Sequence, residues 1–248
     1  MRHKATIAVA AGAMVLLAGC TSSARPAVSS PPTTSLGASP STSLKPSSPT
    51  NLALMTGPQL AAAAAKAMLA AGSFKATATG SMLGGTPSPF TLVMSAQASA
   101  THLSFHGKPA TIIMTKTATY LNGPVEMWTS QKVPAALAKK LAGKWVVVPS
   151  GNGPGGLTLA AMAKELAAPT SGGKILDAVT KSTYKGKAVY VVKQADGSLI
   201  DIAAVGAPLP VYVENHGADQ STYVLYDYGK PNVITIPKGA LDIATLAK

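Results

Sequence analysis

From Lys75 to Ile236 the chain repeatedly breaks into short runs rich in Val, Ile, Thr, Tyr and Phe, separated by Gly, Pro, Asn or Asp. No other feature restricts the fold as much, because short apolar-alternating runs joined by tight turns pair as antiparallel strands. The runs read as strands are Lys75–Met82, Phe90–Ala98, His102–His106, Ala110–Lys116, Thr119–Leu121 and Trp145–Val148, then Thr183–Lys193, Leu199–Ala204, Val211–Asn215, Ser221–Tyr228 and Val233–Ile236. Helical patterns flank and interrupt them. "PQLAAAAAKAMLAAG" has Pro58 in its first turn and Gly72 at its stop, with Leu60, Met68 and Leu69 as a thin apolar stripe. "PAALAKKLAG" ends on Gly143, and "LTLAAMAKELAAP" carries Leu159, Met162, Ala163 and Leu166 at helical spacing before Pro169. "GKILDAVTK" reads as a further helix. The expectation is an α+β domain, one large antiparallel sheet with helices packed on one face.

Ahead of that domain lie two segments of different character. Arg2, His3 and Lys4 precede an apolar run, Ala5 to Leu17, which is too short to span a bilayer and reads as an export signal over residues 1–19. Leu17-Ala18-Gly19-Cys20 resembles the lipobox of bacterial lipoproteins, in which the thiol is acylated and the peptide is cut before it. Cys20 is the single cysteine of the 248 residues, so it has no disulfide partner, and its neighbours supply no metal ligands. Each buried methylene of an acyl chain contributes about 0.8 kcal/mol, so two or more palmitate-like chains on Cys20 would hold the protein on the outer face of the cell membrane. Residues 20–56, rich in Ser, Thr and Pro, bury too little to order and read as a tether for a domain over residues 57–248.

With Arg2 and Lys4 removed, the basic residues fall from 21 to 19 against nine acids, leaving a net charge of +10. Such a surface favours anionic partners such as lipid headgroups or phosphate-bearing wall polymers. Nucleic acid is not expected: the compartment opposes it, and no arginine follows Arg25.

Catalytic patterns are missing. No nucleophile elbow, His-Glu-x-x-His or phosphate loop occurs, and the Ser-x-x-Lys matches at Ser171/Lys174 and Ser182/Lys185 lack the companion motifs of an acyl-enzyme site. His102 and His106 would share a strand face about 13 Å apart, too far for one metal. The carboxylates are scattered singly. Neither an enzyme, a metal nor a cofactor is therefore expected.

The apolar material invites two readings. Phe90, Leu92, Met94, Leu103, Phe105, Ile112, Met114, Met162 and Leu166 either fill a core beneath the helices or line a gap between sheet and helices that takes an acyl chain, with Trp128 and Trp145 flanking it. Composition leaves both open.

The order of the Ala-rich helix before "SFKATATG", the hairpin "KTATYLNGPVEMWTS", the helix "PAALAKKLAGKWVVVP", the strand "TYKGKAVYVVKQADG" and the closing "PLPVYVENHGADQSTYVLYDYGKPNVITIP" resembles the LppX/LprA/LprF/LprG group of actinobacterial lipoproteins, within the LolA-like superfamily. The resemblance spans about Gln59 to Leu241, and its diffuse motifs, "GKWV" and "YGKP", include no catalytic residue. It implies a curved sheet, a half-barrel with helices on its concave face, enclosing a cavity for the acyl chains of lipids or glycolipids carried across the envelope. The partners so implied are lipid, the membrane and an envelope transporter, with the protein itself a monomer. The rival reading is a non-enzymatic scaffold for a transporter or wall polymer, marked by a large exposed apolar or basic patch.

Overall fold

The computed structural model describes residues 51–82, 87–149, 158–170, 173–216 and 220–246. The export signal, Cys20 and residues 21–50 of the tether lie outside them. Among the described residues the strands are β1 (Ser73–Gly80), β2 (Ser88–Ser95), β3 (Ala98–Phe105), β4 (Lys108–Thr115), β5 (Ala118–Asn122), β6 (Val146–Pro149), β7 (Ile175–Tyr184), β8 (Lys187–Gln194), β9 (Leu199–Ala203), β10 (Pro210–Asn215), β11 (Ser221–Tyr226) and β12 (Leu241–Asp242). The helices are α1 (Gly57–Ala71), α2 (Val125–Ser130), α3 (Ala135–Leu141), α4 (Leu159–Ala167) and α5 (Ile243–Leu246).

All twelve strands form one sheet in the order β12-β6-β5-β4-β3-β2-β1-β11-β10-β9-β8-β7. Two antiparallel meanders, β1 to β6 and β7 to β11, meet at the central β1–β11 pair. The sheet does not close, since β12 and β7 are its free edges, as a half-barrel requires. The α+β expectation holds. One pairing departs from it: β12 runs parallel to β6.

Local chemistry explains the hairpins. Ser95 Oγ accepts from the Ala98 N–H at 3.1 Å and donates to the Ala98 carbonyl at 3.0 Å, and Thr115 Oγ1 does the same around Ala118. Side-chain hydroxyls thus stand in for backbone partners in the β2–β3 and β4–β5 turns. The β3–β4 and β7–β8 turns have two residues each, His106-Gly107 and Lys185-Gly186, all with positive φ. That geometry matches strand twist and favours glycine in second place. It also splits Thr183–Lys193, expected as one strand, into the ends of β7 and β8, and it puts His106 in a turn rather than beside His102 on a strand face.

Three further expectations are corrected. "GKILDAVTK" is strand β7 and not a helix: as an edge strand it buries Ile175 and leaves almost everything else exposed, so it lacks the alternation that marks half-buried strands. Val233–Ile236 is not a strand. Asn232 Nδ2 donates to the Phe74 and Met94 carbonyls, both at 3.2 Å, so this segment is tied to β1 and β2 by a side chain instead of a ladder. "KTATYLNGPVEMWTS", expected as a hairpin, is strand β5 followed by helix α2, which starts directly after Pro124, where the fixed φ of proline suits a helix start.

Helix α1 begins with Thr56 N–H donating to Gln59 Oε1 at 3.0 Å and stops at Gly72, whose φ of 72° is left-handed. Its buried stripe is Leu60, Ala61, Ala64, Ala65 and Met68, whereas Leu69 is exposed. Leu52 and Met55, inside the segment read as tether, pack against the same core.

Candidate functional site

Strand parity defines an inner face of the sheet, covered by helices, and an outer face free of them. The inner face carries Phe74, Ala76 and Ala78 of β1, Phe90, Leu92 and Met94 of β2, and Leu103 and Phe105 of β3, all buried. Its apolar side chains divide into two clusters. The first joins α1 and α4 to Phe74, Ala76, Leu92, Met94, Tyr190, Val192, Ile200 and Ile202. The second joins α2 and α3 to Ala78, Phe90, Leu103, Phe105, Ile112, Met114 and Leu121.

The nine residues named from sequence as cavity-lining therefore fall into two groups. Leu92, Met94 and Leu166, with half-buried Met162, belong to the first cluster, and Phe90, Leu103, Phe105, Ile112 and Met114 to the second. Trp128 is 2% exposed within the second cluster, and Trp145 is half-buried just before β6. Tyr223 packs against both clusters and meets Phe90 edge-on at 5.9 Å between ring centroids. The cover is thus two helical pieces over one sheet, with Ala76 and Ala78 of the central strand at their seam.

Helix α2 is seated by its flanks. Asn122 Nδ2 donates to the Gly143 carbonyl and Gly143 N–H to the Gly123 carbonyl, both at 3.0 Å, which closes the α2–α3 unit onto β5. Gly123 leaves room for Met127, whose sulfur would lie 2.5 Å from a Cβ there. Lys108 Nζ reaches Glu126 Oε1 at 2.6 Å, and this bond holds the Glu126 carboxyl below its usual range. Trp128 Nε1–H is buried with no hydrogen-bond partner among the described residues.

On the outer face, Tyr184 and Tyr212 stack with centroids 5.2 Å apart, although β7 and β10 are separated by β8 and β9. On those intervening strands Val189 and Asp201 share this face and are buried. Burial, then the neighbouring Glu214, pushes the Asp201 carboxyl up. Tyr212 donates to Glu214 Oε2 at 3.1 Å, and burial followed by this bond pushes its phenol up to about 12. Glu214 Oε1 lies 2.8 Å from His216 Nε2, an interaction that lowers the Glu214 pKa. Two depressions, of about 630 Å³ and 370 Å³, also open on this face. Sequence reading alone does not reach this arrangement; the alternate threonines Thr77, Thr79 and Thr91, on strands that pair with one another, are the available signal.

His102 stands on β3 with Nδ1 3.3 Å from Thr111 Oγ1, and His106 packs edge-on against Phe105. Ser182 lies on β7 and Lys185 in the following turn, while Ser171 is outside the described residues.

No family model and no curated protein sequence matches the chain. Among solved structures it is similar to an uncharacterized conserved protein from Thermus thermophilus, at TM-score 0.39 and 10% identity over 72% of this chain and 98% of that one. It is similar to LolA superfamily protein NE2245 from Nitrosomonas europaea at TM-score 0.29 and 7% identity, over 73% and 96% of the two chains. A third likeness, to PNGF-II, has TM-score 0.26 and 12% identity, over 70% of this chain and 32% of that one.

Proposed function

We propose that the protein binds the acyl chains of lipids or glycolipids between the inner face of the sheet and its helical cover, and carries them across the envelope while tethered through Cys20 to the outer face of the cell membrane. The observation that carries this reading is Trp128. An indole N–H buried without an acceptor costs about 1–3 kcal/mol, and it lies within an otherwise apolar cluster. The ester carbonyl of a bound lipid supplies the acceptor, and the surrounding Phe, Met and Ile side chains supply the apolar sleeve. A cover in two pieces gives the chain a route in, because the α1–α4 and α2–α3 units can part along the Tyr223 seam without opening the sheet. The protein acts as a monomeric carrier, performs no reaction, and hands its cargo to an envelope transporter.

Native mass spectrometry of the full chain bearing Cys20→Ser tests the binding. Lipid adducts are expected after expression or after incubation with phosphatidylglycerol vesicles. Adduct-free protein under both conditions overturns the reading. Incorporation of labelled palmitate that disappears in Cys20→Ser checks the anchor.

A further inference from the structure

The two depressions on the outer face adjoin at Thr77 and Val224 and together form a trough. The larger is lined by β11, β1, β2, β3 and β4, the smaller by the end of β7, the β7–β8 turn, β8, β9, β10, β11 and β1, and both include Thr77 and Val224. The combined lining crosses nine consecutive strands, from β7 to β4. Eight inter-strand steps of about 4.8 Å make it about 38 Å long, measured along the sheet. A trough of that length running across the strands suits an extended chain better than a compact molecule.

Its chemistry is graded. At the β7–β8 end stand Tyr184, Lys185 and Lys187, and Tyr226 of β11 lies nearer the middle. The Tyr184 ring is fixed on one side by Tyr212, and Lys185 Nζ lies 5.3 Å from its centroid. Ordered rings of this kind offer a flat apolar surface with a polar edge. Toward β4 the lining becomes hydroxyl-rich, with Thr77, Thr79, Thr91, Thr222 and Ser104 around His102. Strand register sets Thr79 beside Thr222 and Thr77 beside Thr91, so paired hydroxyls recur along the floor.

Charge narrows the occupant. The two lysines are the charged residues of the lining, and among the described residues no carboxylate joins them there. The nearest outward acids are occupied: Asp201 is buried, and Glu214 is held by Tyr212 and His216. A peptide adding as a strand needs free backbone groups at an edge, whereas this floor is the paired interior of the sheet. A bilayer is flat and does not enter a trough.

We propose that this trough binds an extended anionic polysaccharide, with a sugar ring stacked on Tyr226, acidic groups against Lys185 and Lys187 beside the Tyr184–Tyr212 stack, and hydroxyls along the threonine floor. The site is separate from the acyl-chain site on the other face, and neither depends on the other.

The test uses the full chain with Cys20→Ser and fluorescein-labelled polygalacturonate oligomers, read by fluorescence anisotropy at about 0.15 M salt, where weak surface attraction is screened. Polygalacturonate is expected to bind at least tenfold more tightly than neutral dextran of equal length. Lys185→Glu with Lys187→Glu weakens it at least tenfold, and Thr91→Trp, which fills the exposed floor, does the same. Lys139→Glu with Lys140→Glu, an equal charge change on α3, leaves it within twofold, and circular dichroism checks each variant for folding. Lipid adducts in native mass spectra stay unchanged in all of them, which separates this site from the inner face. Equal loss in the α3 variant, no effect of Thr91→Trp, or binding to phosphatidylglycerol vesicles without binding to polygalacturonate overturns the proposal.

Discussion

Substituting Gly57 by alanine probes how α1 is seated. Gly57 opens the helix where it meets edge strand β7, and a Cβ there would lie 2.0 Å from the Leu176 carbonyl oxygen, 3.2 Å from its carbon and 3.3 Å from Ile175 Cγ2. Ordinary contact begins at 3.4 Å, and the obstacle is strand backbone, which cannot swing aside as a side-chain tip can. The helix start or β7 must therefore shift, and overpacking of this kind costs about 1–3 kcal/mol. The helix-propensity gain of alanine over glycine, up to about 1 kcal/mol in a helix interior, offsets little of that at the first helical position. The expected net loss for Gly57→Ala is about 2 kcal/mol. Gly123→Ala is the internal control, because its Cβ meets the Met127 sulfur at 2.5 Å, part of an unbranched side chain that can change rotamer as backbone cannot, and repacking there costs about 1 kcal/mol. Urea unfolding followed by circular dichroism measures both, read as a lower midpoint at unchanged slope. If Gly57→Ala costs no more than Gly123→Ala, the close seating of α1 on β7 is refuted.

Trp128→Phe removes the unpartnered N–H while keeping most of the buried ring, so it should lose less than about 2 kcal/mol, against about 3–5 kcal/mol for Trp128→Ala; calorimetry gives both, and native mass spectra of the Phe variant should show weaker lipid retention. Asn232→Ala frees two carbonyls at the ends of β1 and β2 and should cost about 1–3 kcal/mol by urea unfolding. Because the folded protein holds the Asp201 proton to higher pH than the unfolded chain does, stability falls as pH rises through the ordinary aspartate range up to the raised folded value. Asp201→Asn should therefore melt higher than the parent at pH 7, with the difference vanishing below about pH 4; an equal difference at both values contradicts the assignment.

Legibility in the sequence followed local pattern. Strands β2 and β3 announced themselves because Phe90, Leu92 and Met94 alternate with exposed or half-buried neighbours, as do Leu103 and Phe105. Helix α1 was readable from Pro58 to Gly72, although its face was not: the alanines Ala61, Ala64 and Ala65, weak in any hydrophobic scale, form most of the buried stripe, and Leu69 lies off it. Strand β7 was unreadable because an edge strand exposed on both faces has no alternation to show. The parallel β12–β6 pair joins Leu241 to Val146, a separation at which no local signal exists. The division of the nine candidate residues between two clusters was equally hidden, since it depends on which helix covers which strands. So was the Tyr184–Tyr212 stack, which needs the order of four strands before it can be seen.

The two ends of the sheet bear on how copies of the chain meet. Twelve strands in an open array could recruit a neighbour's strand at either end and grow into a fibre. At one end β7 answers with a register irregularity between Ile175 and Val179 and with the exposed charges of Asp177 and Lys181. At the other, β12 is two residues long and gives way at once to α5, too short a template for a docking strand. Both termini of the array are thus blunted against strand-to-strand self-association.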